Sequence, residues 1–281
     1  MAIPIDHVTG HALLARLQAP LRQLQIRARD ERTYYALARL LAVALALAAI
    51  TWGSATFPIF WSQLSIERAA DAIAGRNTFK PHSLDPFLPV IDRIERSSYC
   101  RPEAVRSAAI IRLRLSEEAV TNAERDAIDM RLAALQDTIL KSLTCAPSDP
   151  FLWMILTWLD QTREGFQSRQ LTYLRLSYRL GPYEGWIADG RNRLALSMFW
   201  RLPPDLTEAV LREFAAMVNS RFYEEAIAIL TGPGWPLHDQ LLAALKDSGS
   251  RQREEFAKKL YSAGYDVAVP GTALPQNRRP W

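Results

Sequence analysis

Histidine, cysteine and lysine are scarce in this chain of 281 residues, which contains 4 His, 2 Cys and only 5 Lys. So few metal ligands and nucleophiles leave little material for a metal centre or for covalent catalysis. His7 and His11 stand at i and i+4, but Gly10 lies between them and no third ligand is near. The sequence therefore predicts no metal site.

Motifs that carry catalysis are also missing: the chain contains no Gly-rich phosphate loop, no G-x-S-x-G, no H-E-x-x-H and no paired C-x-x-C. His82 and His238 are the only histidines beyond the N-terminal region, and both stand in proline-containing segments. We expect no catalytic residue and no cofactor. A glycosidase stays open as an alternative, because its two carboxylates need not be adjacent in sequence.

Signals for β-structure are absent as well, since the chain shows no alternating β-branched runs and no Asn-Gly dipeptide. Apolar residues recur instead at helical spacing, which predicts an all-α fold. The predicted helices are 102–115, 122–143, 150–163, 168–180, 183–200, 206–219, 222–230, 238–246 and 251–263. Asp205 and Glu208 fit a capping pair, and Gly264 fits a helix stop.

The basic charge is concentrated at the N-terminus. Residues 1–39 contain six Arg and three acidic residues, residues 40–66 contain no charge, and the remainder contributes only +1 of the total +4. A nucleic-acid-binding domain needs a concentrated basic face. The near-neutral large region therefore predicts no nucleic-acid partner.

A run of 27 residues without charge, 40–66, is long enough to cross a bilayer. We predict a transmembrane helix at 36–61, with Tyr34, Tyr35 and Trp61 at its boundaries, where amphipathic rings prefer to lie. A cleaved signal peptide is the alternative. It is disfavoured because a charged region of 39 residues precedes a long apolar run.

Arginines before the span predict a cytoplasmic N-terminus and an external C-terminal region. The 29 Arg against 5 Lys are typical of a high-GC bacterial genome, so we expect the bacterial inner membrane, with its lipid as one partner, and the periplasm. Pro20 should divide the basic amphipathic arm into two short helices. The predicted regions are an arm at 1–35, a span at 36–61, a juxtamembrane linker with short helices at 62–99, a helical domain at 100–264 and an extended tail at 265–281, docked or undocked.

An internal repeat surrounds two prolines that stand 35 residues apart, in ILKSLTCAP (139–147) and LRLSYRLGP (174–182). Each segment has an aliphatic residue eight positions before the proline and a serine five positions before it. An aromatic residue follows the first proline early in the next helix. The repeat-defining residues are Ser142, Pro147, Trp153, Leu174, Ser177 and Pro182.

This pattern resembles the tetratricopeptide repeat, a helical hairpin of about 34 residues, best over 147–182. Thr157 and Gln170 replace the usual small residues, and the preceding unit is about ten residues too long. The resemblance implies a stack of helical hairpins that binds proteins along a concave surface and does not catalyse.

Membrane-tethered proteins of this build resemble subunits of bacterial polysaccharide-assembly and export systems. The expected function is therefore a noncatalytic scaffold or regulatory subunit of an envelope complex, with other membrane or periplasmic proteins as partners. A glycan-binding protein or an envelope enzyme acting on cell-surface polysaccharide is the alternative.

The turn LGPYEGW carries the candidate ligand-binding residues, because rings and charges cluster there. The other aromatic residues of the helical domain serve either as a stacking groove or, as the favoured interpretation, as core between helices. The binding candidates are Tyr178, Tyr183, Trp186, Arg191 and Arg193.

Cys100 and Cys145 each stand in a Cys-x-Pro turn before a predicted helix, 45 residues apart. Matching turns of stacked hairpins lie on one edge, so the two sulfurs are candidates for a disulfide, which persists in the periplasm. Two free thiols remain the alternative. A catalytic or metal-binding role is disfavoured, because no histidine accompanies either cysteine.

Overall fold

The computed structural model describes residues 10–75, 77–122 and 125–273, without the side chains of 10–32, 59, 62, 125 and 126. His7 and Trp281 lie outside the described residues. Every regular element within those ranges is helical, which confirms the all-α prediction. The chain divides into two compact units, Met1–Ser62 and Gln63–Trp281.

Helix α1, Gly10–Ala74, is continuous and includes both Pro20 and Pro58. The expectation that Pro20 divides the arm into two helices is wrong. A proline removes one i to i−4 hydrogen bond, but the turns on either side retain theirs. The segment Thr33–Pro58 has a mean hydropathy of 1.9 and no buried residue, so it is a candidate membrane-spanning helix.

Hydroxyl groups within this apolar segment bond to the helix itself. Thr51 Oγ1 donates to the carbonyl of Leu47 at 3.0 Å, and Thr56 Oγ1 donates to that of Trp52 at 2.9 Å. Polar groups in a bilayer need such internal partners, because lipid tails offer none. The composition and the hydrogen bonding of this helix are therefore both compatible with a membrane.

The second unit begins within α1, where Ile66, Ala69 and Ala70 are buried. Residues 63–74 lie within the segment predicted as a juxtamembrane linker with short helices, 62–99; they continue α1, and part of this stretch is buried in the core. Their apolar positions follow the i, i+3, i+4, i+7 spacing of an amphipathic helix, with Ile73 as the last member. A short 3-10 turn, Asp85–Phe87, and helix α2, Leu88–Arg96, complete the segment.

Two antiparallel helical hairpins follow. Helices α3, Pro102–Thr121, and α4, Arg125–Cys145, pair so that the start of α3 meets the end of α4, where the Cα atoms of Cys100 and Cys145 are 6.1 Å apart. Helices α5, Pro150–Glu164, and α6, Arg169–Leu180, pair in the same way, because Ser177 Oγ near the end of α6 donates to the carbonyl of Pro150 at 2.7 Å.

The remaining helices agree closely with the sequence-based boundaries. They are α7, Gly185–Ser197; α8, Pro204–Asn219; α9, Tyr223–Leu230; α10, His238–Ala243; and α11, Ser250–Ser262, with 3-10 turns at Phe199–Arg201, Trp235–Leu237 and Ala244–Asp247. Gly264 has a φ of 96° and the N–H of Tyr265 donates to Leu260 at 3.1 Å, which confirms the predicted helix stop.

The predicted capping pair at α8 does not form. Pro203 occupies the N-cap position, and no side chain caps the helix. Asp205 instead accepts a hydrogen bond from Arg175 Nε at 2.7 Å, so its carboxylate joins α8 to α6. The Arg175 hydrogen bond lowers the pKa of Asp205. A cation on a neighbouring helix thus replaces the capping interaction that local sequence suggested.

Buried apolar residues form three successive clusters along the described chain. The first joins α1, α2 and α3, the second joins α3, α4 and α5, and the third joins α6 to α11. Ile187 of α7 belongs to the second cluster, so α7 connects the second and third. Each helix thus buries one face against its neighbours in chain order.

The described part of the tail lies on the last cluster. Val269 is buried there, and Arg253 Nη1 donates to the carbonyl of Pro270 at 3.1 Å. Residues 265–273 therefore dock on the helical unit. Of the two alternatives that the sequence left open for the tail, docked or undocked, the docked one holds for this half. Residues 274–281 lie outside the described residues.

Candidate functional site

The cysteine pair lies at the open end of the α3–α4 hairpin. A Cα separation of 6.1 Å falls within the range of protein disulfides, so the predicted proximity of the two cysteines is confirmed. Arg101, the next residue, donates to Glu67 Oε1 at 3.3 Å and ties this end of the hairpin to α1. The cysteine pair thus joins the start of α3 to the end of α4, and Arg101 links this end of the hairpin to α1.

Most of the repeat-defining residues lie where helices touch. Ser142 and Ser177 are both fully buried at the end of a hairpin, and Leu174 is buried in the third cluster. The indole N–H of Trp153 donates to the carbonyl of Pro147 at 2.8 Å, while its ring lies 5.7 Å from that of Tyr173. Pro182 is exposed in the turn between α6 and α7.

Thr157 and Gln170, the departures from the repeat pattern, are both fully buried, and each donates one hydrogen bond to a backbone carbonyl, while the buried Gln170 Oε1 has no partner among the described residues. Thr157 Oγ1 donates to the carbonyl of Trp153 at 2.9 Å, and Gln170 Nε2 donates to that of Gly165 at 2.7 Å. A buried polar group with a partner avoids most of its desolvation cost. These substitutions are therefore compatible with close packing of α5 on α6.

Of the five binding candidates, Arg191 is completely buried. Its Nε donates to Glu213 Oε1 at 2.9 Å, its Nη1 to the carbonyl of Ser177 at 2.8 Å and its Nη2 to that of Gly181 at 2.9 Å. The residue thus joins the end of α6 and the following turn to α8. Glu213, its partner, was not among the sequence-predicted residues.

Tyr178 completes this buried network. Its hydroxyl donates to Glu213 Oε2 at 2.9 Å, and the Arg191 guanidinium lies 4.3 Å from its ring centroid. Asn192 Nδ2 donates to the carbonyl of Val210 at 2.9 Å. Burial raises the pKa of Glu213, opposed by Arg191, and burial raises the pKa of Tyr178 well above its usual range.

A groove, here called the α8 groove, opens above the network between the α6–α7 turn and α8. It holds about 290 Å³ next to a smaller recess of about 70 Å³. Tyr183 stands at its edge with 91% of its surface exposed. Its lining includes Tyr178, Pro182, Tyr183, Ala209, Arg212, Glu213, Ala216 and, in the recess, Phe222.

Trp186 lies elsewhere, on the side of α7 that meets α3 and α5. Its ring is 4.9 Å from that of Phe151, and the Arg106 guanidinium lies 5.0 Å from its centroid. Arg106 Nε also donates at 2.7 Å to Asp149, which caps α5. Trp186 therefore serves mainly as a joint between helices, although half its surface remains exposed.

Arg193 lies on another face of α7. Its Nε donates to Asp189 Oδ1 at 2.7 Å, and it borders a second concavity of about 360 Å³, here called the α5–α7 cleft. The remaining lining is formed by Trp158, Gln161, Thr162, Gly190, Leu194 and Ser197. The five predicted residues thus occupy four places: the buried network, the α8 groove, the Trp186 joint and the α5–α7 cleft.

Among the described residues, no group of three or more His, Cys, Asp and Glu side chains is arranged to hold a metal ion. No protein-family model, curated protein or solved structure matches this chain. The functional interpretation therefore depends on the geometry of its own residues.

Proposed function

We propose that this protein is a noncatalytic, single-pass membrane scaffold whose helical unit binds a protein partner through the α8 groove. The observation that carries this proposal is the almost fully exposed Tyr183 at the edge of a concave, mostly apolar surface. Exposed tyrosines beside a pocket are frequent anchors of protein interfaces. The lining supports a protein ligand, since Ala209, Ala216 and Phe222 offer apolar contact.

The proposed location is the bacterial inner membrane, with the N-terminus in the cytoplasm and residues 63–281 in the periplasm. The Arg-rich residues before the span support this orientation. The Cys100–Cys145 pair supports it independently, because disulfides persist in the periplasm and are rare in the cytoplasm.

We further propose that the helical unit is a tetratricopeptide-like stack. Two consecutive antiparallel hairpins and the matching burial of Ser142 and Ser177 support this interpretation. Membership of an envelope complex for polysaccharide assembly or export depends only on the resemblance in overall build, and the identity of the partner must come from experiment.

Site-specific photo-cross-linking in intact cells tests the scaffold. A photoreactive phenylalanine analogue at position 183 should yield a discrete adduct with one protein. The same analogue at position 200 is the control, because Trp200 is 77% exposed but lies outside the groove lining. Equal adducts from both positions, or none from position 183, would contradict the proposal.

Orientation is tested separately. A C-terminal alkaline phosphatase fusion should be active, because the C-terminal unit is proposed to lie outside the cytoplasm. For the same reason, a C-terminal green fluorescent protein fusion exported through the same pathway should not fluoresce. The reverse pair of results would place the helical unit in the cytoplasm and overturn this part of the proposal.

A further inference from the structure

The α5–α7 cleft has a lining unlike that of the α8 groove. It combines one indole, Trp158, with an amide, hydroxyls and a guanidinium, over a volume of about 360 Å³. Such a mixture of a flat apolar wall and convergent hydrogen-bonding groups is characteristic of small-molecule sites. We propose that this cleft binds a neutral hexose segment of a glycan.

Gly190 provides the first argument, because it keeps the cleft open. It lies in the interior of α7, where glycine is less favourable than alanine, and its φ is not positive. A Cβ added there would approach only Met154, at an ordinary contact distance of 3.6 Å. Neither backbone conformation nor close packing requires this glycine, and the absence of a side chain there leaves the cleft open.

Gln161 provides a hydrogen-bond acceptor of known orientation. Ser197 Oγ donates to the carbonyl of Leu194 at 2.7 Å, so it can only accept from Gln161, whose Nε2 lies 3.1 Å away. The amide oxygen therefore points away from Ser197. Within the described residues it is shielded from solvent and accepts no hydrogen bond. Turning this oxygen into the cleft exchanges the Nε2 contact with Ser197 for a hydrogen bond from a ligand.

Arg193 provides the complementary donors. Its Nε is held by Asp189, and its side chain is 38% exposed at the edge of the cleft. A guanidinium held in this way presents its terminal N–H groups in a fixed plane. The cleft lining thus combines a donor fork held by Asp189 with a side chain whose acceptor oxygen has no partner among the described residues.

The ligand class follows from these requirements. A group that donates to Gln161 and accepts from Arg193 is a hydroxyl or an amide, since a carboxylate cannot donate and an ammonium cannot accept. The apolar C–H face of a hexose ring suits the Trp158 indole. A pyranose with two vicinal hydroxyls and an apolar C–H face meets all three conditions in a single ring, and for this reason we choose it over an amide. This site does not depend on the partner proposed for the α8 groove.

Binding of cellohexaose and maltohexaose to the full chain tests the site by calorimetry. The detergent should be lauryldimethylamine oxide, because maltoside headgroups would compete. We expect saturable binding of at least one hexasaccharide, tighter than about 10 mM. Trp158→Ala and Arg193→Ala should each weaken it by about tenfold, and Gly190→Leu should abolish it by filling the cleft. Trp200→Ala is the matched control and should bind normally.

Fluorine NMR provides a measurement on the unmodified fold. With 5-fluorotryptophan at all 8 Trp positions, the Trp158 resonance, assigned by its loss in Trp158→Phe, should shift on addition of the sugar, while that of Trp200 should not. The site is overturned if neither sugar binds, if the Trp158 resonance does not move, or if binding survives both alanine variants. Gly190→Leu should leave cross-linking at position 183 unchanged, which separates this result from the scaffold proposal.

Discussion

Arg191 and Glu213 form an ion pair in the interior of the helical unit, with Nε and Oε1 2.9 Å apart and both side chains almost completely removed from solvent. The carboxylate also accepts from the Tyr178 hydroxyl, and the guanidinium also donates to two backbone carbonyls. Both charged groups thus have hydrogen-bond partners of opposite charge in a region where an unpaired buried charge is costly. The network forms the floor of the α8 groove.

Removing one partner of this pair should be far more damaging than removing both. Arg191→Met leaves Glu213 buried without its cation, and we expect the free energy of unfolding to fall by about 3–5 kcal/mol. Arg191→Met with Glu213→Leu should recover much of that loss, because no buried charge remains. Urea unfolding followed by circular dichroism measures both variants. Equal losses in the single and double variants would show that the charge itself does not matter.

Alkaline pH should destabilise the fold through Tyr178. Its pKa is raised by burial, so above about pH 10 the unfolded chain releases a proton that the folded chain retains, and stability falls as pH rises. One such proton contributes about 1.4 kcal/mol per pH unit.

Tyr178→Phe should reduce the slope of stability against pH in this alkaline range by the equivalent of up to about one proton. Near neutral pH it should lower the free energy of unfolding by about 1 kcal/mol, because the hydrogen bond of the hydroxyl is lost. Unfolding free energies between pH 8 and about pH 12 measure the slope. Tyr183→Phe, at an exposed position, is the control; an identical slope in all three proteins would exclude Tyr178 as the titrating group.

The cysteine pair should be oxidised in protein isolated from membranes. A thiol count under denaturing conditions should give no free sulfhydryl, and reduction should lower stability by about 3–4 kcal/mol through the entropy of the opened loop. The variant with both Cys100→Ser and Cys145→Ser should be insensitive to reductant. Two free thiols in freshly isolated protein would remove both the bridge and its support for a periplasmic location.

Gly190→Ala should stabilise α7 by about 0.5–1 kcal/mol, because alanine is the better residue in a helix interior and its Cβ meets only Met154 at 3.6 Å. Thermal unfolding measures the change. This result is expected if Gly190 is there to leave space in the α5–α7 cleft, because alanine would stabilise the helix and narrow the cleft. If Gly190→Ala destabilises the protein, the glycine has a structural role and the argument from space fails.

Local signals in the sequence determined most of the helix boundaries. Prolines at the start of α3 and α5 and Gly264 at the end of α11 act within one or two turns of the chain, so their effects can be read without the fold. Pro20 and Pro58 show the limit of this reasoning. The cost of a proline within a long helix is offset by turns on both sides, and α1 continues.

The binding candidates illustrate what local sequence does not contain. The five candidates are neighbours in sequence, but α6, the following turn and α7 direct their side chains toward different surroundings: Tyr178, Tyr183, Trp186, Arg191 and Arg193. Helical rotation distributes adjacent residues around an axis, and only the neighbouring helices decide which of them become buried. Sequence reasoning therefore found the region and missed its division into network, groove, joint and cleft.

The sequence by itself determined an apolar membrane-length helix and an all-helical unit, and it named Cys100 and Cys145 as a candidate pair, because length, periodicity and spacing act along the chain. The tertiary structure alone decided that Arg191 meets Glu213 and that Gln161 and Arg193 line the same cleft. These pairs join residues more than twenty positions apart. Their contacts depend on how whole helices pack, and that packing minimises exposed apolar area over the entire unit.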